Sequence, residues 1–358
     1  MSNNKAEGRA PAVIKLFGEH AVVFGERAVG AAVSMYASSH VENGPASRFS
    51  LLLKDYGVGQ VLPYEALSSF YNEYKSMEIN DYIEKHNDIA KSLPYVTIAS
   101  RLIAEYGANL DGAEVFISSE IPIGKGLASS AACSLSFTVS LINYCKLNIS
   151  DNEIIDIARD GERVAHANPN AGAIDVSTSY HGGYVNYSNH NGATVESVPF
   201  APKLLIIDTG PKKSTAETVR AVSELYSKDR SYAEQRIKSI GKCSEKGMSA
   251  FLKGDFIEAG RQMVADHNLL RELGVSTELL DYSVKTAAEL GAYGAKLSGG
   301  GGGGILIALV PADSASRIAE KFQSMGMQTN EVNITFYGAG SYLHNRKEPA
   351  NQLKKSES

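Results

Sequence analysis

The residues best placed for chemistry lie in two glycine-rich segments and on two acids between them. The first segment runs Pro122, Ile123, Gly124, Lys125, Gly126, Leu127, Ala128, Ser129, Ser130. Glycines let a backbone approach an anion closely and take positive φ. A helix starting at the end of the segment would aim its unpaired amides and positive dipole end at that anion. Ser129 and Ser130 add hydroxyls for a phosphate or a magnesium ion. The spacing matches neither G-x-x-x-x-G-K-[ST] nor G-x-G-x-x-G with a distal acid. Taken alone, the segment reads equally as a phosphate loop or as a tight turn with a helix cap, and Lys125 as a solvated lysine. The second segment, Lys296, Leu297, Ser298 and the glycine run 299–304, is read as joining a helix to a strand. Six successive glycines cost more chain entropy than a turn requires. That favours close backbone approach to a ligand over a plain linker, with the two segments facing each other across a cleft.

Glu162 falls on a helix predicted over 152–165, and Asp175 in a loop between Ile174 and Val176. An acid with apolar neighbours is partly desolvated, which suits a base; a helix cap over Ser177 and Thr178 is the other reading. Phosphoryl transfer needs a base at the acceptor hydroxyl, an acid to hold Mg²⁺ and donors on the phosphates. Asp175, Glu162 and loop 122–130 are able to supply these. Gly18, Glu19 and His20 follow a buried strand, where loops carry function. His166, His181 and His267 have no metal-ligand spacing, so no zinc site is expected.

These groups must be held by elements that the hydrophobic pattern makes legible. Strands are predicted over 12–17, 28–41, 114–118 and 183–187, and helical structure over 65–106, 128–144 and 152–165, with Ser150 or Asp151 as cap. A strand at 203–208 opens a second half made of helices 215–226, 230–253, 255–271 and 277–290, strand 305–310, helix 314–325 and strand 330–336. Helices against an antiparallel sheet make this an α+β pattern. The 358 residues suggest two domains: 1–200, with a boundary near Pro199 and Pro202, then 201–345, then a polar tail over 346–358.

The net charge is −5 and no block of Lys or Arg stands out. Nucleic acid and anionic membrane are therefore not expected as main partners. Cys133, Cys145 and Cys243 are odd in number and widely spaced, so no disulfide framework is visible and a reducing cytoplasm is the simplest compartment. The first residues lack an apolar targeting core, and no run is long enough to span a membrane.

Ala10-Pro11 with 18–25, then 122–132, then 296–304, resemble the three motifs of the GHMP kinase superfamily, in order and over nearly the whole chain. Within it, the form Gly18-Glu19-His20 and the segments 208–217 and 267–276 resemble the mevalonate kinase family. The resemblance implies a first domain like domain 2 of ribosomal protein S5 and a ferredoxin-like second domain. It implies ATP-dependent phosphorylation of mevalonate, with Asp175 as base; Lys15 is read as the second catalytic residue, steering the hydroxyl or stabilising charge. ATP would lie on Pro122, Gly124, Lys125, Gly126, Leu127, Ala128, Ser129, Ser130, Ser298, Gly299, Gly300 and Gly301. Mg²⁺ would lie on Ser130 and Glu162, and mevalonate near Glu19, His20 and Thr209. A homodimer is compatible with it.

Two departures from the family pattern stand out. Val13 occupies the usual lysine position, and Lys15 lies two residues on, about 6–7 Å along the same side of a strand. Glu162 and Asp175 are also further apart than is usual, through residues 170–174. Rival readings are a sugar kinase, a kinase of a phosphomevalonate, whose phosphate Lys15, Lys212 and Lys213 would help to bind, and an inactive ligand sensor. A decarboxylase of the superfamily is disfavoured by Gly18-Glu19-His20.

Overall fold

Strand β2 (Ala28–Asn43) organises the first half of the molecule, in a computed structural model that describes residues 5–196, 202–212 and 215–345. It pairs antiparallel with β1 (Lys5–Phe17) along most of its length. Its other edge is shared. The first residues pair with β6 (Tyr184–Ser188), which carries β7 (Gly192–Glu196), and the last with β5 (Ala113–Ser119). Beyond β5 come β3 (Arg48–Leu53), which is parallel to it, and β4 (Val58–Pro63). The predicted helical stretch 65–106 is broken into α1 (Tyr64–Leu67), α2 (Ser69–Ser76), α3 (Ile79–Lys85) and α4 (Leu93–Tyr106).

Three further helices lie between β5 and β6: α5 (Ser129–Cys145), α6 (Asp151–Ala165) and α7 (Ala173–His181). Helix α5 is buried almost along its full length, and its small residues let β1 come close. A Cβ on Gly8 would fall 2.0 Å from the Ser136 carbonyl oxygen. Helix α6 begins with a capping box between Ser150 and Glu153, which satisfies two otherwise orphaned amides.

The second sheet has the order β11 (Gln328–Asn333), β8 (Lys203–Lys212), β10 (Gly303–Val310), β9 (Gly294–Leu297), and every pairing is antiparallel. Around it run α8 (Thr215–Lys228), α9 (Arg230–Lys253), α10 (Phe256–Glu272), α11 (Glu278–Glu289) and α12 (Ala315–Ser324). Its central strands are apolar at nearly every position because both faces are covered. Leu204, Ile206, Ile305 and Ile307 join the core shared with the first sheet. Leu205, Ile207, Leu306 and Ala308 join a second core with Val222, Ile237, Leu280 and Phe322.

Strand β9 corrects the sequence reading. The glycine run 299–304 does not join a helix to a strand; it turns the β9–β10 hairpin. β9 is four residues long and opens with a glycine, so it carries little strand signal. That glycine is needed for packing: a Cβ on Gly294 would lie 2.1 Å from the Gly260 carbonyl oxygen on α10.

After β11 the chain returns to the first sheet at the point where β2 leaves its edge open. Ile334 bridges to Val33, Thr335 N–H donates to Ala32 O at 2.9 Å, and Gly183 N–H donates to Thr335 O at 2.7 Å. The helical turn Ala339–Asn345 then packs on α5 and β1. Among the described residues no helix is long and apolar enough to cross a membrane. The tail 346–358 and Pro199 lie outside the described residues.

Candidate active site

The two glycine segments meet where the two sheets join. A Cβ built on Gly299 would lie 3.6 Å from the Cα and O of Gly126. Loop 122–130 is tied to β1 by Val13 N–H, which donates to Leu127 O at 3.1 Å, and by the buried Leu127 side chain. Gly124 and Gly126 have φ of 72° and 85°. Ala128, the last residue before α5, has φ 54°, a left-handed conformation that costs a residue with a Cβ about 1–2 kcal/mol. The first-turn amides of Ser129, Ser130 and Ala131 have no carbonyl within the helix to bond, so the start of α5 is an anion site in form.

Part of the second segment has other duties. A Cβ on Gly301 would lie 2.2 Å from Val275 O, and Gly302 N–H donates to that carbonyl at 2.7 Å. Gly303 and Gly304 already belong to β10. Ser298, Gly299 and Gly300 are the ones turned toward β1 and the loop. Lys125 is not simply solvated: its Nζ lies 2.7 Å from Asp208 Oδ2 on β8, so it spans the cleft.

Lys15 and Asp175 come together although 160 positions separate them. Lys15 Nζ donates to Oδ1 at 2.7 Å and to Oδ2 at 2.9 Å, and both side chains are 20% exposed. Burial works against the Lys15 charge, yet Asp175 chiefly, helped by Glu19 and Glu162, holds its pKa above the usual lysine value. Ser298 Oγ accepts from Lys15 N–H at 3.2 Å and donates to Lys15 O at 3.3 Å, fixing the strand end to the glycine turn. Asp175 lies on helix α7, not in a loop as its sequence context suggests, because Gly172 turns the chain just before it at φ 78°. A Cβ on Gly172 would meet Glu162 Cβ at 2.7 Å, so the lengthened segment folds tightly onto Glu162.

Glu162 is 3% exposed and its Oε1 has no hydrogen-bond partner among the described residues. Its Oε2 is 3.5 Å from His166 Nε2, which is 3.3 Å from Ser130 Oγ. Hydrogen bonding to Glu162 chiefly, together with its charge, raises the His166 pKa against the opposing effect of burial. His166, set aside in the sequence for lack of metal spacing, therefore bridges Ser130 and Glu162. The signal that marks it is its i+4 position relative to Glu162. A buried carboxylate oxygen left unpaired is costly, and Mg²⁺ takes oxygen ligands, usually a few from protein and the rest from phosphate and water. Glu162 and Ser130 fit that ion. No cluster of three acidic, His or Cys side chains among the described residues is able to hold a metal alone.

Each of the three residues expected near the acceptor has a partner within the protein. Glu19 is 1% exposed and ion-paired with Lys296. His20, at φ 60°, places Nε2 2.9 Å from Gly300 O. Burial chiefly, with Lys296 and Lys15, lowers its pKa, so a neutral ring donates to that carbonyl. Thr209 Oγ1 donates to Gly304 O at 2.8 Å. Lys213 and the Lys212 side chain lie outside the described residues. The sequence reading gave the side chains of Asp208, Asp266 and Lys296 no role.

The family model described as "GHMP kinases N terminal domain" matches residues 93–183, and "GHMP kinases C terminal" matches 248–326. A mevalonate kinase of Thermococcus onnurineus is 33% identical over 84% of this chain and 88% of its own length. The crystal structure of the Methanococcus jannaschii mevalonate kinase covers 92% of this chain and 98% of its own, at a TM-score of 0.75 and 24% identity. That of L. major mevalonate kinase in complex with R-mevalonate covers 95% of this chain and 97% of its own, at a TM-score of 0.74 and 23% identity.

Proposed function

Because the chain belongs to the GHMP kinase family, we infer that it transfers the γ-phosphoryl group of ATP to the primary hydroxyl of mevalonate. The products are 5-phosphomevalonate and ADP, a step in isoprenoid precursor biosynthesis. The observation that carries the reading is the bidentate Lys15–Asp175 pair, set beside Ser298 where the two glycine segments meet. A positioned carboxylate, a fixed cation and a ring of amide donors are what phosphoryl transfer asks of a protein.

In this reading the amides of loop 122–130 and the start of α5 hold the ATP phosphates, with Ser298, Gly299 and Gly300 on the opposite wall. Asp175 takes the hydroxyl proton as the new O–P bond forms, and ADP leaves with the electrons of the broken bond. Lys15 holds the Asp175 carboxylate in place through both of its oxygens and offsets negative charge on the attacking oxygen; it takes over the role of the family lysine displaced at Val13. Mg²⁺ held by Glu162 and Ser130 would neutralise phosphate charge. His20 lies at the acceptor side of the cleft. The same reading puts the enzyme in the cytoplasm, with a homodimer as the assembly to look for by light scattering.

The test is ATP consumption by the purified protein with mevalonate, with phosphomevalonates and with galactose. Mevalonate alone should support turnover. Turnover only with another acceptor would move the substrate assignment, and no turnover with any would favour a ligand sensor.

A further inference from the structure

Lys296 is among the largest side chains sealed from solvent. Its ammonium is ion-paired with Glu19, donates to Leu297 O at 2.8 Å and lies 3.4 Å from Asp266 Oδ2. These side chains are 0% (Lys296), 1% (Glu19) and 0% (Asp266) exposed. They come from three places: Glu19 from the turn after β1, Lys296 from β9, Asp266 from α10. Two carboxylates and one ammonium would leave a net negative charge in a site sealed from bulk solvent, and Glu19 Oε2 has no hydrogen-bond partner among the described residues. Burying uncompensated charge is expensive enough that a group takes up a proton instead. Asp266 is the group that does so: burial pushes its carboxyl up to about 7, against the pull of Lys296 and with the push of Glu19. The other titratable group facing it is Cys243 on α9, while His20 and His267 stand near Lys296.

The cluster frames the active site without facing it. Glu19 adjoins His20, whose ring bonds the Gly300 carbonyl, and Lys296 is two residues before Ser298, which bonds both backbone groups of Lys15. We propose that Glu19, Lys296 and Asp266 form a buried clamp that fixes the turn after β1 against the β9–β10 turn. Glu19 is then a positioning residue for phosphoryl transfer, not a contact of the acceptor. The catalytic part rests on the kinase reading above; the clamp itself does not.

Two variants test it. In Glu19→Gln, kcat should fall at least tenfold, KM for ATP and for mevalonate should stay within threefold, and the melting temperature should drop. A tenfold rise in the mevalonate KM with an unchanged melting temperature would overturn the proposal, because a substrate ligand behaves that way. Asp266→Asn gives a readout that needs no activity. Below the ordinary carboxyl value of 3.8 both folded and unfolded chains hold the proton, and between there and about 7 only the folded chain does. Stability must therefore fall as pH rises through that window and level off above it. Asp266→Asn should remove this slope from the melting temperature. If the slope persists unchanged in Asp266→Asn, the clamp is wrong; this arm also decides a mixed or unfolded Glu19→Gln. A wild-type protein without turnover but with the slope would refute the kinase reading and leave the clamp standing.

Discussion

Two lysines in this molecule have nearly the same chemical company and different lives. Lys15 faces Asp175 with Glu162 and Glu19 nearby; Lys296 lies between Glu19 and Asp266. The first pair is 20% exposed, at the edge of a cleft, and the second cluster is closed to solvent. Water is what separates them. A charge pair that water reaches is able to change partners when a substrate arrives, at modest cost. A pair that water cannot reach has to stay intact, because removing one partner strands a buried charge. One lysine is therefore suited to chemistry and the other to geometry.

The sharpest way to break this comparison is on the acid side of the open pair. Asp175→Ala should lower turnover by roughly 10²–10⁴-fold, the usual worth of a positioned acid–base group, with ATP binding by calorimetry nearly unchanged. Full activity in that variant would remove Asp175 from the mechanism. Next come the lysines themselves, each replaced by methionine. Lys296→Met should cost about 3–5 kcal/mol of stability, read from urea unfolding. Lys15→Met should cost less stability than Lys296→Met, because its pair keeps contact with solvent, while kcat falls steeply. If the two stability losses came out equal, solvent access would not be the distinguishing variable. The smallest effect belongs to Lys125, which spans the cleft to Asp208 with 30% of its side chain exposed. Lys125→Ala should shift the ATP KM a few-fold and leave the melting temperature within a degree or so, since exposed pairs contribute about 0–1 kcal/mol.

What the sequence made legible follows the range of the forces involved. Helix α6 was readable to within a residue because its cap and its apolar stripe are local, and β5 because its alternation is local. The anion-binding form of loop 122–130 was readable for the same reason: glycines and a helix start lie side by side. Strand β9 was not readable, because Gly294 answers to a backbone contact on α10 rather than to strand propensity. Nor was the fate of Lys296. Its partner Glu19 is 277 positions away, and a lysine next to a glycine run looks solvated until the fold closes over it. Glu19 shows the same limit from the other side. Its place in the motif pointed to the acceptor, and only the packing shows its carboxylate turned into the interior.

The return of the chain after β11 has a consequence for how this protein is made. The open edge of β2 at Ala32 and Val33 is filled by Ile334 and Thr335, some three hundred residues later. At a synthesis rate of about 5–20 residues per second, that edge emerges roughly fifteen seconds to a minute before its partner exists. The nascent first half is therefore a sheet with an unpaired stretch and an uncovered patch on α5 throughout the synthesis of the second half. Stalling or cutting translation before residue 335 should yield a product that needs a chaperone to stay unaggregated, although nearly all of its own strands are already present.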